Sequence, residues 1–199
     1  MPLAPTQAAS DAVVAKLGRT MQAAGVRCTA LLAEVVPEDE FNARVGQTGN
    51  KATVLLERVL RLVDRAARGA AQACIHVDRL GGRAHYGDEL RRAFPDRALR
   101  VLEETPTTSR YALRRADATW ELSFTVGADA RHLPVALASM LAKYVREVLM
   151  EAFNAYWRAA APSLRPTAGY YTDAQRFLGD IAALLPATGL DPSRFVRTR

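Results

Sequence analysis

Two aspartates in this 199-residue chain each follow a stretch typical of a buried strand. Asp78 ends ACIHVD, and Asp129 comes shortly after TWELSFTV. Ligands of open α/β sheets gather at the carboxyl ends of strands, and Mg²⁺ takes oxygen ligands while keeping room for water and phosphate. We therefore expect the two carboxylates to share a divalent cation. Isolated acids at such positions more often open a turn or cap a helix, and that interpretation stays open.

The segment after Asp78, DRLGGRAHYGDEL, contains residue types that suit a phosphate group. Gly81 and Gly82 let the backbone approach a ligand closely, and the guanidinium of Arg83 can make forked contacts to phosphate. Gly82 and Arg83 are therefore candidate substrate-binding residues. A Gly-Gly pair is also an ordinary turn.

The helices that position these residues are predicted from apolar spacing and end signals. A first helix is capped by Ser10 and ended by Gly25, a short helix surrounds Phe41, and residues 50 to 68 form an amphipathic helix. A long helix begins near Leu133, and a last one begins at Thr172, with Gln175 completing a capping box. The positions expected to be buried are Val54, Leu55, Val59, Leu62, Val63 and Ala66 on the third helix, Leu133, Leu137, Met140, Leu141, Tyr144, Val148 and Ala152 on the long helix, and Phe177, Leu178, Ile181 and Leu185 on the last.

Five strands are predicted from alternation and from short apolar runs. They are VRCTALLAEVV, ACIHVD, ALRVLEE, SRYALRR and TWELSFTV, with ACIHVD as a buried central strand. In the last strand, Trp120, Leu122, Phe124 and Val126 face one way. Alternating helices and strands predict a layered α/β protein.

Residues 128 to 150, ADARHLPVALASMLAKYVREVLM, resemble the signature of type 2 ribonuclease H, that is, ribonucleases HII and HIII. In that family an aspartate precedes a helix that reads roughly Ala-Ala-Ser-Ile-Leu-Ala-Lys, then Arg-Asp and Met. The counterparts here are Asp129, Ala138, Ser139, Met140, Leu141, Ala142, Lys143, Arg146, Glu147 and Met150. The order of the helix at 50 to 69, of Asp78 and of PTAGYYTDAQRF also agrees, so the resemblance extends over residues 26 to 199. The spacing from GNKA at 49 to 52, through GGR, to SRY at 109 to 111 differs from that of the ordinary bacterial enzyme and indicates a divergent branch.

The resemblance implies a ribonuclease H-like mixed sheet flanked by helices. It also implies an endonuclease that uses Mg²⁺ or Mn²⁺ to cut the RNA strand of an RNA–DNA hybrid or an RNA/DNA junction. Asp78 and Asp129 would be its metal ligands and catalytic residues. Lys143 and Arg146 would support the site or the phosphate, and Tyr170 or Tyr171 would stack on a sugar. His132 would help with proton transfer, although such a histidine is more often a surface residue.

One departure from the family concerns its first strand, which carries an Asp-Glu pair followed by glycines. This sequence has no such motif, because PEDEFN lacks the glycines and reads better as acids in the first turn of a helix. We therefore expect the first strands of the fold to be missing, the edge of ACIHVD to be exposed, and the chain to be inactive alone. A missing segment or a partner chain would complete the sheet. Whether Glu103, Glu104 or Asp88 replaces a ligand stays open.

Composition limits the function classes. The chain carries a formal net charge of +6, and only Lys16, Lys51 and Lys143 among its 27 basic residues are lysines. This charge permits a polyanionic partner, although a biased genome also yields arginine-rich chains. The sequence predicts a flexible tail at 1 to 9 and a single domain at 10 to 199. It shows no export signal or membrane span, and we expect a cytoplasmic protein with Cys28 and Cys74 as buried free thiols.

The sequence is also compatible with two functions other than that of a nuclease. The first is a nucleic-acid-binding module on the same scaffold without the chemistry, for which salt-sensitive binding without cleavage is expected. The second is an unrelated α/β enzyme that acts on a small phosphorylated substrate held at Gly81 and Gly82. No complete phosphate-loop or dinucleotide motif supports the second alternative.

Overall fold

The computed structural model describes residues 7 to 197, without the side chains of residues 7 to 10. The chain forms two units, divided between Leu31 and Leu32. The first unit contains helix α1, Gln7–Ala23, and Gly25 follows it with φ of 65°. Ser10 lies inside this helix and not at its start, so the predicted cap is wrong. The predicted strand VRCTALLAEVV is wrong as well, because residues 26 to 37 form neither helix nor strand and lack a hydrogen-bonded neighbour in the sheet.

The second unit holds the remaining described elements. They are α2 Glu38–Thr48, α3 Lys51–Ala67, β1 Gln72–Asp78, α4 Gly87–Ala93, β2 Ala98–Glu104, β3 Thr108–Arg115, β4 Ala118–Thr125, a 3₁₀ turn at Ala128–Ala130, α5 Leu133–Ala160, α6 Tyr171–Ile181, α7 Leu185–Thr188 and a 3₁₀ turn at Pro192–Arg194. The helix around Phe41 and four of the five predicted strands are confirmed. Helix α4 was not predicted, because the glycines around it favoured a loop.

The strands form one mixed sheet in the order β1-β4-β3-β2. β1 runs parallel to β4, whereas β4 with β3 and β3 with β2 are antiparallel. The α/β class with helices flanking a mixed sheet is therefore confirmed. The prediction that β1 is a central strand is wrong, since β4 is its only hydrogen-bonded neighbour in the described part of the chain. Its apolar composition instead reflects Ala73, Ile75 and Val77, which pack against the core under one face of the sheet.

The main core lies between that face and helices α3 and α4. Trp120, Leu122 and Phe124 point into it, and Val126, beyond the end of β4, is 49% exposed. The prediction for Val126 is therefore wrong. The buried members of this core are Leu56, Leu60, Val63, Ala67, Tyr86, Leu90, Phe94, Tyr111, Leu113, Trp120, Leu122 and Phe124. The main core therefore covers one face of the sheet, and a functional site can lie on the opposite face.

Helix α3 begins after Asn50, whose side chain accepts from the backbone N–H groups of Ala52 and Thr53 at 2.9 and 3.3 Å. Its buried residues are Val54, Leu56, Leu60, Val63 and Ala67. The predicted stripe is right at Val54 and Val63 but wrong at Leu55 and Ala66, which are exposed. Because Val54, Leu55 and Leu56 are all apolar, the sequence allows the helix to bury either of two adjacent faces. Tertiary packing buries Val54 and Leu56 and leaves Leu55 exposed.

The long helix α5 differs most from its prediction. Only Val135 and Trp157 are buried, whereas Leu133, Met140, Tyr144 and Val148 are 47 to 68% exposed, and Ala152 is exposed as well. The predicted buried stripe is wrong because α5 packs against β1 and the Ala128–Ala130 turn near its start and joins the second core near its end, while the side chains of Met140, Tyr144 and Val148 between these contacts stay exposed.

A second, smaller core joins the end of α5 to the C-terminal segment. It consists of the buried Trp157, Phe177 and Ile181, with Phe153, Leu164, Leu178, Leu184, Leu185, Leu190 and Phe195 packed around them. Phe177 and Ile181 are buried as predicted. The capping box is wrong, since α6 begins at Tyr171 after Tyr170 and no side chain caps it. The carboxylate of Asp173 instead accepts from Thr167 Oγ1 and from the Ala168 N–H, both at 2.7 Å.

Asp173 gives this segment a predicted pH dependence. Hydrogen bonds from Thr167, Arg176 and the Ala168 N–H lower its pKa from 3.8 to about 2. A lowered folded-state pKa contributes stability that is complete above pH 3.8 and is lost as the pH falls towards 2. We expect the melting temperature to decrease over this interval and Asp173→Asn to flatten the decrease. Thermal unfolding between pH 5 and 2 measures the melting temperature of both chains. An equally steep decrease with falling pH in Asp173→Asn would contradict the role of Asp173 in this pH dependence.

In the described part of the chain, no helix combines the length and apolar character needed to cross a bilayer.

Candidate functional site

Asp78 and Asp129 lie at the same edge of the sheet. Asp78 is the last residue of β1 and is in register with Thr125, the last residue of β4. The chain then turns through Gly127, whose φ of 64° favours glycine, into the short 3₁₀ turn that contains Asp129. The backbone N–H of Ala128 donates to Asp78 Oδ1 at 3.0 Å. Thus Asp78 is hydrogen-bonded to the residue that directly precedes Asp129.

This edge combines a fixed backbone with accessible carboxylates. Ala128 is fully buried, and the Arg79 N–H donates to the Thr125 carbonyl at 3.0 Å, which ties the two strand ends together. Both Asp78 and Asp129 are exposed. Such a pair can contribute carboxylate oxygens to a hydrated divalent cation, which commonly takes one or two carboxylates and completes its shell with water or phosphate.

No third carboxylate joins them among the described residues, where no group of three His, Cys, Asp or Glu side chains could hold a metal ion. The three acids considered as replacements have other partners. Asp88 pairs with Arg91, and Glu103 lies 3.7 Å from Arg110. Glu104 accepts from Tyr111 and contacts His85, and these two hydrogen bonds lower its pKa. Among the described residues, the carboxylates at this edge are therefore those of Asp78 and Asp129, without a third acid that converges on them.

Gly82 and Arg83 lie in the loop between β1 and α4. Arg83 forms an ion pair with Glu89, and its side chain is only 19% exposed. Its carbonyl also accepts from the Tyr86 hydroxyl at 3.1 Å. The ion pair with Glu89 links the loop to α4. A phosphate would have to compete with Glu89 for the Arg83 guanidinium.

Arg146 and Tyr170 are brought together, with the guanidinium 4.5 Å from the ring centroid. Arg146 also donates to the Ala168 carbonyl and pairs with Glu147. Tyr170 is 67% exposed, so one face of its ring is free for a sugar or base. Lys143, one turn earlier on α5, is exposed too.

These three residues lie apart from the aspartates. Thirteen residues of continuous helix separate Leu133 from Arg146, a distance of about 20 Å at 1.5 Å per residue. The residues implied by the resemblance therefore form two groups, an aspartate pair at the sheet edge and an Arg146–Tyr170 pair farther along α5.

The structure adds a polar cluster that the sequence reasoning missed. His76 and His132 stack with ring centroids 3.7 Å apart, and His76 Nδ1 lies 2.8 Å from Ser123 Oγ. Burial and then the neighbouring His132 lower the pKa of His76. Cys74 Sγ is 3.4 Å from His76 Nε2. The alternation in ACIHVD already places Cys74 and His76 on one face, but the pairing that brings Ser123 beside them depends on the sheet.

The two cysteines were predicted to be buried, and both are exposed. Cys74 is exposed because it points to the face of the sheet that lacks the main core. Cys28 lies in the irregular segment after α1, where its Sγ is 3.7 Å from the Ala30 carbonyl. The burial prediction is wrong for both residues.

The face of the sheet opposite the main core is here called the open face, defined by Cys74, His76, Arg100, Arg110, Arg114, Glu121 and Ser123. Its arginines are exposed, and a shallow cavity of about 310 Å³ lies over it, lined in part by Arg110, Arg131 and His132. Arg110 lies 3.7 Å from both Glu103 and Glu121. The cationic side chains of this face are arginines, and Leu102 also lines the cavity over it.

Comparison with protein-family models, with curated proteins and with solved structures gave no match for this chain. The class that the fold defines is an α/β protein with a four-stranded mixed sheet flanked by helices.

Proposed function

We propose that this chain is a ribonuclease H-like, metal-dependent nuclease scaffold for the RNA strand of RNA–DNA hybrids. The observation that carries the proposal is the hydrogen bond from the Ala128 N–H to Asp78, which joins the two strand ends that bear Asp78 and Asp129. The cation would be Mg²⁺ or Mn²⁺, since carboxylate oxygens are the ligands that these ions favour. Its role would be to activate water and to stabilise the leaving oxygen.

Substrate binding in this proposal uses both groups of residues. The hybrid would contact the cation at the aspartates and, about 20 Å along α5, Lys143 and the Arg146–Tyr170 pair. Two carboxylates hold one cation weakly, and two-metal hydrolysis needs more ligands. Within the described residues one edge of β1 has no pairing strand, and a further strand, from another segment or a partner chain, would join there beside Asp78. We therefore expect the chain alone to bind the cation and not to cut.

The cation site is tested with Mn²⁺ as the probe. Asp78→Asn and Asp129→Asn are each expected to weaken Mn²⁺ binding about tenfold or more, because each removes a charged ligand. Isothermal titration calorimetry measures the change. The matched control is Asp117→Asn, an exposed acid in the turn between β3 and β4 at the opposite end of β4. Equal Mn²⁺ affinity in all three variants and the unmodified chain would remove the basis of the proposal.

Catalysis is tested separately with a labelled RNA–DNA hybrid and Mg²⁺. No cleavage is expected from residues 1 to 199 alone. Cleavage that disappears in Asp78→Asn would retain the nuclease assignment and overturn the requirement for further carboxylates.

A second candidate is a non-catalytic nucleic-acid-binding module, favoured by the exposed arginines of the open face. Arg110 and Arg114 alternate along β3, and Arg100 is on β2 beside Ala112, between them. Phosphate contacts by arginine make binding salt-sensitive.

The salt dependence of hybrid binding tests this second candidate. Replacement of Arg100, Arg110 and Arg114 by glutamine is expected to reduce the slope of log K against log salt by about 2 to 3. The control replaces Arg61 and Arg65 of α3, and Arg68 directly after it, by glutamine and is expected to leave the slope within about 1 of the original. Equal reductions by both sets would mean that binding follows net charge and not the open face.

A further inference from the structure

We propose that Cys74 and His76 form a binding site for a thiophilic divalent cation of the Zn²⁺ type. This site is independent of the proposed nuclease function, because its ligands are sulfur and nitrogen and not the two aspartates. The two residues are separated by one position on β1 and therefore project from the same face of the strand.

The spacing of the two donor atoms suits one tetrahedral ion. Cys74 Sγ lies 3.4 Å from His76 Nε2. Zinc bonds of about 2.3 Å to sulfur and 2.0 Å to nitrogen, opened to the tetrahedral angle, separate the donors by about 3.5 Å. The ion therefore fits between them with little movement of either side chain.

The remaining contacts of His76 orient its free lone pair towards Cys74. When His76 carries its ring proton on Nδ1, Ser123 Oγ accepts from it at 2.8 Å and donates to the Ile75 carbonyl at 3.4 Å. This assignment places the ring proton on Nδ1 and leaves Nε2 as the donor atom that faces the sulfur. A metal-bound histidine commonly has its other nitrogen fixed by such an oxygen.

The surroundings leave room for the ion's other ligands. Cys74 and His76 line the cavity of about 310 Å³ over the open face, and the ring of His132 packs on His76. Because the described residues offer no convergent third His, Cys, Asp or Glu, water completes the shell. Binding deprotonates the Cys74 thiol, and its proton passes to solvent.

The chain provides its own control in Cys28, a second exposed thiol, whose Sγ lies 3.7 Å from the Ala30 carbonyl. The 199-residue chain is alkylated with iodoacetamide with and without Zn²⁺, and peptide mass spectrometry follows each cysteine. Zn²⁺ is expected to slow Cys74 alkylation about tenfold or more and to leave Cys28 unchanged, because a metal-bound thiolate is a weaker nucleophile. His76→Gln is expected to abolish the protection, with circular dichroism confirming the fold.

A second measurement uses Co²⁺, which gives a thiolate charge-transfer absorption when bound to cysteine. The band is expected in the unmodified chain and in Cys28→Ser, and not in Cys74→Ser. Equal protection of both thiols by Zn²⁺, protection of neither, or full protection in His76→Gln would overturn the site. Protection lost in Asp78→Asn but kept in His76→Gln would place the ion at the sheet edge and would also overturn it. Because Mn²⁺ reports on the aspartates and Zn²⁺ on Cys74, the two proposals fail separately.

Discussion

Replacement of Trp120 by alanine is expected to lower the free energy of unfolding by about 3 to 5 kcal/mol, the usual cost of removing a large buried aromatic side chain. Trp120 is 1% exposed, and its Nε1–H donates to the Ala70 carbonyl at 3.1 Å. The Arg97 guanidinium lies 3.4 Å from its ring centroid, and the ring of Phe94 meets it edge-on at 5.8 Å. The substitution removes all of these contacts and leaves a cavity beside Phe94 and Arg97.

Arg97 adds to this cost. Its Nη1 is buried and forms no hydrogen bond within the described residues, so the face of Trp120 is the partner of this cation. Trp120→Phe keeps an aromatic face and should lose less stability than Trp120→Ala. Urea unfolding measures both variants. Val126→Ala, near the end of the same strand and exposed, is the control and should change stability by no more than about 0.5 kcal/mol.

Trp157→Ala is expected to have a similar effect on the second core, about 3 to 5 kcal/mol. Trp157 is 1% exposed, and Phe153, Phe177 and Phe195 surround its ring at centroid distances of 6.0 to 6.3 Å. These contacts hold α6 and the segment after it against α5. Loss of the ring should release that segment before the sheet unfolds.

Amide hydrogen exchange shows whether Trp157→Ala unfolds only the C-terminal segment or the whole chain. The amides of α6 should lose protection in Trp157→Ala, while those of β3 and β4 keep it. Tyr144→Ala on the same helix is the control, because Tyr144 is 68% exposed and its removal creates no cavity. Uniform loss of protection across the sheet would show that the two cores unfold together and that the second core has no separate stability.

The sequence predicted the elements whose signals are local. Alternation in TWELSFTV identified β4 and its buried Trp120, Leu122 and Phe124, because a strand places every second side chain on the same face. The same local reasoning failed for ACIHVD, whose apolar run fits a central strand and an edge strand equally well. Its position depends on which strands are available to pair with it.

Some residues of the candidate sites were predictable from local sequence signals, and others depend on contacts between strands. Position after a strand identified Asp78 and Asp129, and the parallel pairing of β1 with β4 places them at one edge. The cluster of Cys74, His76 and Ser123 could not be predicted, because 47 residues separate His76 from Ser123 and their contact depends on strand register. The separation of Arg146 from the aspartates follows from the length of α5.

By itself the sequence determined the α/β class, most of the helices and strands, and the two acids at strand ends, since each depends on residues close together in the chain. Tertiary structure alone decided that β1 lies at the edge, that much of α5 is exposed, and that His76 meets Ser123 on the open face. The physical reason is that burial and side-chain contact are properties of pairs of elements. A periodic pattern shows which face of an element is apolar and not which neighbour covers it.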